Sequence, residues 1–355
     1  MHPLKAVVVG CGRMGAFTSD KTRAGLPLGW LPLSHAEAIH TLLGVELVGV
    51  CDAQRSVAEA AAKVWGGQVF TDYRAMLLKL KPDIATIATR TDVRPEILKY
   101  VAANGVKAIH AEKPLCRSLS DALDVVETLR THHVVFSYGT VRRYMDAYKQ
   151  ARAIVHSGDL GKLKQIILSF GEAQIMWTAP HLFDLLVFFS DNAPVKYVQA
   201  SMNAEHVSKQ NGRAEMIDDD PRIQFATIVF ENGITGIITA AGGMKTELAC
   251  EDGTITVGAD GSYIETQKKS STGYFLEPER IIPQPALSGT QSAIAGLRDA
   301  IVKGEISGMT MDELETEQRI LFAVATSALK NGARIKLEDV DPELIITGKT
   351  GNLYA

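Results

Sequence analysis

An apolar run over residues 5–9 leads straight into Gly10-Cys11-Gly12-Arg13-Met14-Gly15, and this junction restricts the fold more than any other feature of the chain. A strand ending in GxGxxG uses glycine for a tight turn and for close approach of a pyrophosphate to backbone N–H groups at a helix N-terminus. That arrangement belongs to open parallel sheets wrapped by helices, where ligands bind beyond the carboxyl ends of the strands. The following sequence keeps the pattern. Short apolar strands are predicted over 46–51, 83–88, 108–111 and 134–138, and helical spacing over 56–64, 73–80 and 118–130. Strands so uniformly apolar are buried on both faces.

From about Arg142 the grammar changes. One helix is predicted over 145–156, then a turn at Gly158-Asp159-Leu160-Gly161, then strands with little helix between them. Glu231-Asn232-Gly233 joins strands 224–230 and 234–240 as a hairpin, because Asn-Gly readily takes the positive φ of a tight turn. A second hairpin is expected around Ala259-Asp260-Gly261, between 254–257 and 263–267. Residues 208–220 read as loop, and 291–302 and 311–330 as packing helices. The expected fold is an α/β Rossmann-type doubly wound parallel sheet over 1–137, followed by an α+β domain with a mostly antiparallel open sheet over 138–355. A chain of 355 residues suits two domains.

Charge and composition exclude other classes. Lys and Arg number 37 against 41 Asp and Glu, a formal charge of −4, which argues against a general nucleic-acid or anionic-membrane binder. No apolar run approaches the ~18–20 residues of a membrane span, and no signal peptide is read. Cys11, Cys51, Cys116 and Cys250 form neither a CxxC pair nor a tight Cys/His cluster, so no metal site or disulfide framework is expected. A reducing cytoplasm is the expected location.

Asp52 ends the second strand, where a carboxylate accepts hydrogen bonds from an adenosine ribose and repels a 2′-phosphate. This favours NAD; Arg55 leaves NADP open, being either a partner for a 2′-phosphate or a solvated charge. Gly15 and Asp52 stand farther apart than the usual ~20 residues, as an elongated loop over 19–34 would explain. Ala111-Glu112-Lys113-Pro114-Leu115 then lies after a strand and before a helix, so Lys113 reaches into the crevice at the strand ends.

GxGxxG, an acid ending the second strand and Glu-Lys-Pro at this depth together resemble the Gfo/Idh/MocA family of nicotinamide-dependent sugar and polyol oxidoreductases. Arg143-Tyr144 and Gly158-Asp159-Leu160-Gly161 resemble its domain junction. The resemblance implies that Gly10, Gly12, Arg13, Met14, Gly15, Asp52, Arg55, Thr89, Glu112 and Lys113 meet the cofactor, and that Lys113 lies near the reacting hydroxyl. A cation there stabilises a developing alkoxide and relays a proton. Glu112 is an orienter or a simple ion pair.

The family's second signature is Asp, then His four residues later, then Asp three further on. Here His181 and Asp184 match the last two positions, but Trp177 stands at the first, so the usual carboxylate is missing unless Glu172 or another acid supplies it. His181 becomes the leading proton-transfer residue beside Lys113. Asp184, at i+3, orients its ring or lines the pocket. Trp177 stacks a sugar face or packs in the core.

Arg13, Lys21, Arg23, Arg90, Arg94, Arg142 and Arg143 are cations near the crevice, able to clamp an anionic substituent or simply solvated. Arg90, Arg143, Tyr144, Trp177 and Asp184 are the expected substrate contacts, with Tyr138 and Tyr148 as minor ones. Thr89-Arg90-Thr91 departs from the family's small-Pro-Asn pattern.

The activity so implied is NAD(H)-dependent interconversion of a secondary alcohol and a ketone on a sugar, sugar derivative or cyclitol, without metal. An NAD-dependent glycoside hydrolase acting by transient oxidation, on a neutral or acidic sugar, is the alternative. A non-catalytic cofactor-binding regulator is the reading from another class. A homodimer or homotetramer is expected through the C-terminal sheet, because apolar residues in 225–230 and 234–238 would need cover.

Overall fold

A computed structural model describes residues 2–210, 213–304 and 308–348. Its first half alternates strand and helix: β1 (Leu4–Val9), α1 (Asp20–Gly25), α2 (His35–His40), β2 (Val45–Cys51), α3 (Arg55–Trp65), β3 (Gln68–Phe70), α4 (Tyr73–Leu80), β4 (Ile84–Ile87), α5 (Arg94–Ala103), β5 (Ala108–Ala111), α6 (Leu119–Thr131) and β6 (Val135–Tyr138). These strands form one parallel sheet in the order β3-β2-β1-β4-β5-β6. The order reverses between β1 and β4, so the loops following those strands part and open a crevice at their carboxyl ends. β3 carries no strong apolar run and was not legible as a strand; it is a three-residue edge paired with β2.

The second half continues with α7 (Asp146–Ser157), β7 (Leu163–Ser169), α8 (Ala179–Phe189), β8 (Val195–Asn203), β9 (Val207–Gln210), β10 (Arg213–Ile217), β11 (Arg222–Phe230), β12 (Thr235–Thr239), β13 (Lys245–Cys250), β14 (Gly253–Gly258), β15 (Tyr263–Lys268), β16 (Glu279–Ile281), α9 (Gly289–Lys303), α10 (Met311–Leu329) and β17 (Ile345–Ile346). Eight of these strands form a sheet in the order β16-β15-β14-β13-β7-β12-β11-β8, antiparallel except where β7 meets β12. Both expected hairpins are present, as β11–β12 and β14–β15.

Residues 208–220, expected as loop, instead contribute β9 and β10, which pair with each other, and β10 also pairs with β17 from the far C-terminal segment. The outer partner of β10, β17, lies more than a hundred residues away, where local turn chemistry carries no signal. A second correction concerns the open face of the large sheet. Ala226, Ile228, Phe230 and Ile238, counted as apolar residues needing a partner, point inward and are buried under the helices. The opposite face carries the alternate residues, half-buried Thr227, Val229 and Ile237 with Phe225 46 % exposed.

Three apolar clusters hold the molecule together. One lies between the large sheet and helices α8 and α10. The other two cover the faces of the parallel sheet, and Ile294 and Leu297 of α9 belong to one of them. Thus α9, far along the chain, returns to close the first sheet beside α2. Its start is held by a capping box between Ser288 and Gln291, and that of α10 by Thr310 and Glu313. No helix among the described residues is long and apolar enough to cross a membrane.

Candidate active site

The glycine loop is shaped by contacts that only glycine permits. Gly10 has φ +88°, and a Cβ there would meet the Ala88 carbonyl at 2.8 Å; one on Gly15 would stand 1.8 Å from the Gly10 oxygen. At Gly12 nothing lies within 4 Å of where a Cβ would be, so the open side of the loop is a cradle bounded by backbone. Nearby, the Thr89 hydroxyl is buried without a hydrogen-bond partner among the described residues. These features fit a dinucleotide pyrophosphate with its nicotinamide end toward the loop after β4.

The turn that begins at Gly12 is cut short. Ala16 N donates to Gly12 O at 2.8 Å, but the chain then leaves and returns at α2, where His35 N and Ala36 N donate to the carbonyls of Met14 (2.8 Å) and Gly15 (2.9 Å). These are donors that a helix start otherwise leaves unsatisfied. The first helix is therefore split, and residues 17–34 are inserted between its two pieces. This accounts for the long separation of Gly15 from Asp52. The insert contains α1, not loop alone, and crosses to the second half: Ser288 Oγ donates to Pro32 O, Thr290 Oγ1 to Leu33 O and Trp30 Nε1 to Asp260 O.

Asp52 braces the loop: Oδ2 accepts from Cys11 N and Oδ1 from Gln54 N, each at 2.9 Å. Arg55 lies beyond it on exposed α3, paired with Glu59 at 2.8 Å. Met14 packs against the core beneath the large sheet.

Lys113 follows β5 on a segment pinned from below. Buried Arg94, expected to face the crevice, instead donates to the carbonyls of Thr89, Glu112 and Pro114, and the Lys113–Pro114 bond is cis. Glu112 is buried, with Oε1 3.2 Å from His35 Nε2 and Oε2 accepting from Lys113 N at 3.3 Å. Burial would push its carboxyl up, but the His35 hydrogen bond and the charges around it bring it down to about 2. His35 meets His110 edge to face, and His110 Nδ1 lies 2.8 Å from Ser137 Oγ. His35, His110 and Glu112 bring possible metal ligands within 4.8 Å of one another; their hydrogen bonds make them equally an orienting network under Lys113.

The Lys113 ammonium lies 2.7 Å from the Trp177 carbonyl oxygen and 3.9 Å from the centre of its ring, over which Arg13 also sits at 4.9 Å. Burial lowers its pKa; Glu112 opposes this, Arg13 adds to it, and the result is about 8. Asp220 is an acid that sequence reading did not single out. It is buried, accepts from Met176 N at 2.7 Å and acts on Lys113. Glu172, the acid considered for this role, is exposed.

Trp177 precedes α8, every residue of which is buried. His181 sits in its first turn, and burial, then the charges of Arg142 and Lys113, push its pKa well down, so the ring is neutral near pH 7. Asp184 does not serve His181. It is 0 % exposed and ion-paired with Arg143 Nε at 2.7 Å, while Arg143 Nη1 reaches Glu313 at 3.2 Å. Tyr144 turns inward and its hydroxyl accepts from Tyr138 N. Arg143, Tyr144 and Asp184, expected against substrate, are thus engaged inside the protein, whereas neighbouring Arg142 acts on both Lys113 and His181. The short 3-10 turn Val141–Tyr144 points the two arginines differently, and the Asp260 that holds Arg142 lies in a distant hairpin. Arg90 is exposed at the rim, and Arg23 pairs with Glu37.

Residues 4–140 match a family model, GFO_IDH_MocA, described as oxidoreductase family, NAD-binding Rossmann fold. Over 162 residues the chain is 28 % identical to the D-glucoside 3-dehydrogenase of Escherichia coli (strain K12) and 27 % to the scyllo-inositol 2-dehydrogenase (NAD(+)) of Bacillus subtilis (strain 168). Each match takes in 45 % of this chain but only 41 % and 42 % of the relatives' own lengths. Among solved structures, a dehydrogenase from Chromobacterium violaceum has a TM-score of 0.73 at 16 % identity, covering 93 % of this chain and 97 % of that one. An oxidoreductase from Agrobacterium radiobacter in complex with NAD+, L-tartaric acid and magnesium has a TM-score of 0.70, also at 16 % identity, with 94 % and 98 % covered. At this identity the likeness is one of fold, and it extends over both sheets.

Proposed function

From the match of residues 4–140 to the Gfo/Idh/MocA oxidoreductase family model with its NAD-binding Rossmann fold, we propose that the chain is a member of that family and that it interconverts a secondary alcohol and a ketone on a sugar or cyclitol. The relatives named for oxidation of a glucoside and an inositol support that substrate class. Residues 1–137 hold the dinucleotide in this reading, and 138–355 the substrate, with α9 lent to the first sheet.

The observation that carries the reading is the half-buried Lys113 amine, held between the glycine-loop side (Arg13) and the α8 side (Trp177, His181), with a pKa near 8. A group poised there exists in both protonation states near neutral pH, as general acid–base work requires. When bound, the nicotinamide supplies the hydride acceptor or donor. Lys113 in its amine form takes the hydroxyl proton during oxidation and returns it as ammonium during reduction. His181, neutral, hydrogen-bonds the reacting or adjacent oxygen. Glu112, held by His35, fixes the Lys113 backbone. Asp52 and the backbone of Gly10–Gly15 hold the adenosine ribose and pyrophosphate, and Thr89 and Arg90 line the nicotinamide side.

The test is absorbance at 340 nm with NAD against a panel of neutral sugars and cyclitols. Stoichiometric NADH formation is expected with at least one, and Lys113→Ala should abolish it while leaving the NAD dissociation constant within a few-fold. Unchanged turnover in that variant would remove Lys113 from the chemistry. A dimer or tetramer through the large sheet belongs to the same proposal, and light scattering at micromolar concentration reads it directly.

A further inference from the structure

Arg142 is fixed in place near the site, and it is held by only part of its guanidinium. Nε and Nη2 fork onto Asp260 Oδ1 and Oδ2 at 2.7 and 2.8 Å, and the Tyr148 hydroxyl lies 3.2 Å from the same carboxylate. Its plane is set by Trp30 and Phe170, whose ring centres lie 4.9 and 5.1 Å from the guanidinium carbon. Nη1 is left: it is buried and has no hydrogen-bond partner among the described residues. Leaving guanidinium donors unmet away from water is costly, so such a group is expected to meet a ligand.

The surroundings say which kind. Arg142 lies within electrostatic reach of both Lys113 and His181, the two residues given roles in the chemistry above. At His181 the charges of Arg142 and Lys113 act in the same direction. A preorganised guanidinium in a dry site recognises carboxylate, sulfonate or phosphate oxygens better than neutral hydroxyls.

We propose that Arg142 is the specificity residue of this site and that Nη1 binds an oxyanion carried by the substrate, making the preferred substrate an acidic sugar or cyclitol derivative. The inserted residues 17–34 take part, because they bring Trp30 against Arg142 and against the Asp260 backbone. This deepens the dehydrogenase reading and rests on it for what is bound.

The test separates binding from turnover. The protein with NADH bound is titrated calorimetrically with matched pairs, glucose against glucuronate and glucose 6-phosphate, and galactose against galacturonate. Turnover with NAD is followed separately at 340 nm. At least one acidic member is expected to bind about ten- to a hundredfold more tightly than its neutral partner. Arg142→Lys keeps a charge for Asp260 but loses the second donor edge. The double variant Arg142→Gln with Asp260→Asn keeps a neutral hydrogen-bonding pair, and a thermal melt confirms that it folds. Both should erase the preference. Equal affinity within every pair, or a preference that survives in both folded variants, would overturn the inference. Competition by inorganic phosphate without any preference among the sugars would overturn it too. Neutral-sugar turnover without acid preference leaves the dehydrogenase reading standing alone, whereas Arg142-dependent binding of acidic sugars without NADH formation from any sugar does the reverse.

Discussion

The Lys113 ammonium sits 3.9 Å above the centre of the Trp177 ring and 2.7 Å from the carbonyl oxygen of the same residue. Trp177 occupies the position where the family resemblance leads one to expect an aspartate. A ring face attracts a cation by about 0.5–2 kcal/mol, so it holds the ammonium in place without the full opposing charge that would raise its pKa. Arg13 over the same ring pushes in the opposite direction. The acid that does act on Lys113 from this side, Asp220, comes from the segment just before β11. Position and proton affinity are thereby set by different groups.

The role proposed for Lys113 sets a pH dependence for the proposed sugar oxidation. The Lys113 pKa is lowered to about 8, so its amine form, the base, gains population as pH rises through that value. The oxidation rate should climb on a limb centred near pH 8, and reduction should fall over the same range. Trp177→Asp supplies a carboxylate and should move the limb up by about one unit or more; Trp177→Phe should leave it nearly where it was. Initial-rate profiles of kcat/KM read both, and an unmoved limb in Trp177→Asp would mean that another group titrates.

Asp52 Oδ2 braces Cys11 N, and in the function proposed above the same carboxylate also holds the adenosine ribose. Asp52→Ala removes both and should weaken NADH binding by about tenfold or more. Asp52→Asn retains an acceptor for Cys11 N but loses the charge that repels a 2′-phosphate, so it should shift preference toward NADPH with a smaller loss of affinity. Fluorescence titration with both reduced cofactors measures this; an unaltered ratio in either variant would end the ribose assignment.

Most of this arrangement that was legible in the sequence depends on neighbours along the chain. Gly15 announces its turn because the clash a Cβ would make there, with the Gly10 oxygen, lies within the loop itself, whereas the Ala88 carbonyl that confines Gly10 lies beyond β4. Lys113 could be placed at the crevice because β5 ends two residues earlier. What failed depends on distant partners. Residues 213–217 pair on one side with β9 and on the other with β17, a partner from the far end of the chain. The choice between Arg142 and Arg143 is made by Asp260 on one side and by Asp184 with Glu313 on the other. The resumption of the first helix at His35, after a departure at residue 17, has no local signature; its caps are the carbonyls of Met14 and Gly15. His35 as the partner of Glu112 follows from the same rejoining.

The cluster around Arg143 makes the sharpest stability claim. Asp184 and Glu313 share one guanidinium, and Glu317 near them is wholly buried with neither carboxyl oxygen hydrogen-bonded among the described residues. Burial, then repulsion from Asp184, holds its pKa well above the usual 4.5, so it keeps its proton where an unfolded carboxyl has lost it, while burial raises Asp184 to about 7. The folded state then binds a proton that the unfolded chain releases above pH 4.5, and stability attributable to this residue falls as pH rises, by about 1.4 kcal/mol per unit. Glu317→Gln keeps the shape of the protonated acid without a titrating group. Its stability relative to the natural protein should be near zero at pH 4.5 and grow progressively toward pH 7. Arg143→Met, by contrast, strands the carboxylates and should cost about 3–5 kcal/mol. Urea denaturation of the three proteins between pH 4.5 and 8 decides the matter: a Glu317→Gln difference independent of pH would mean that Glu317 is ionised in the fold and that Arg143 balances all three acids.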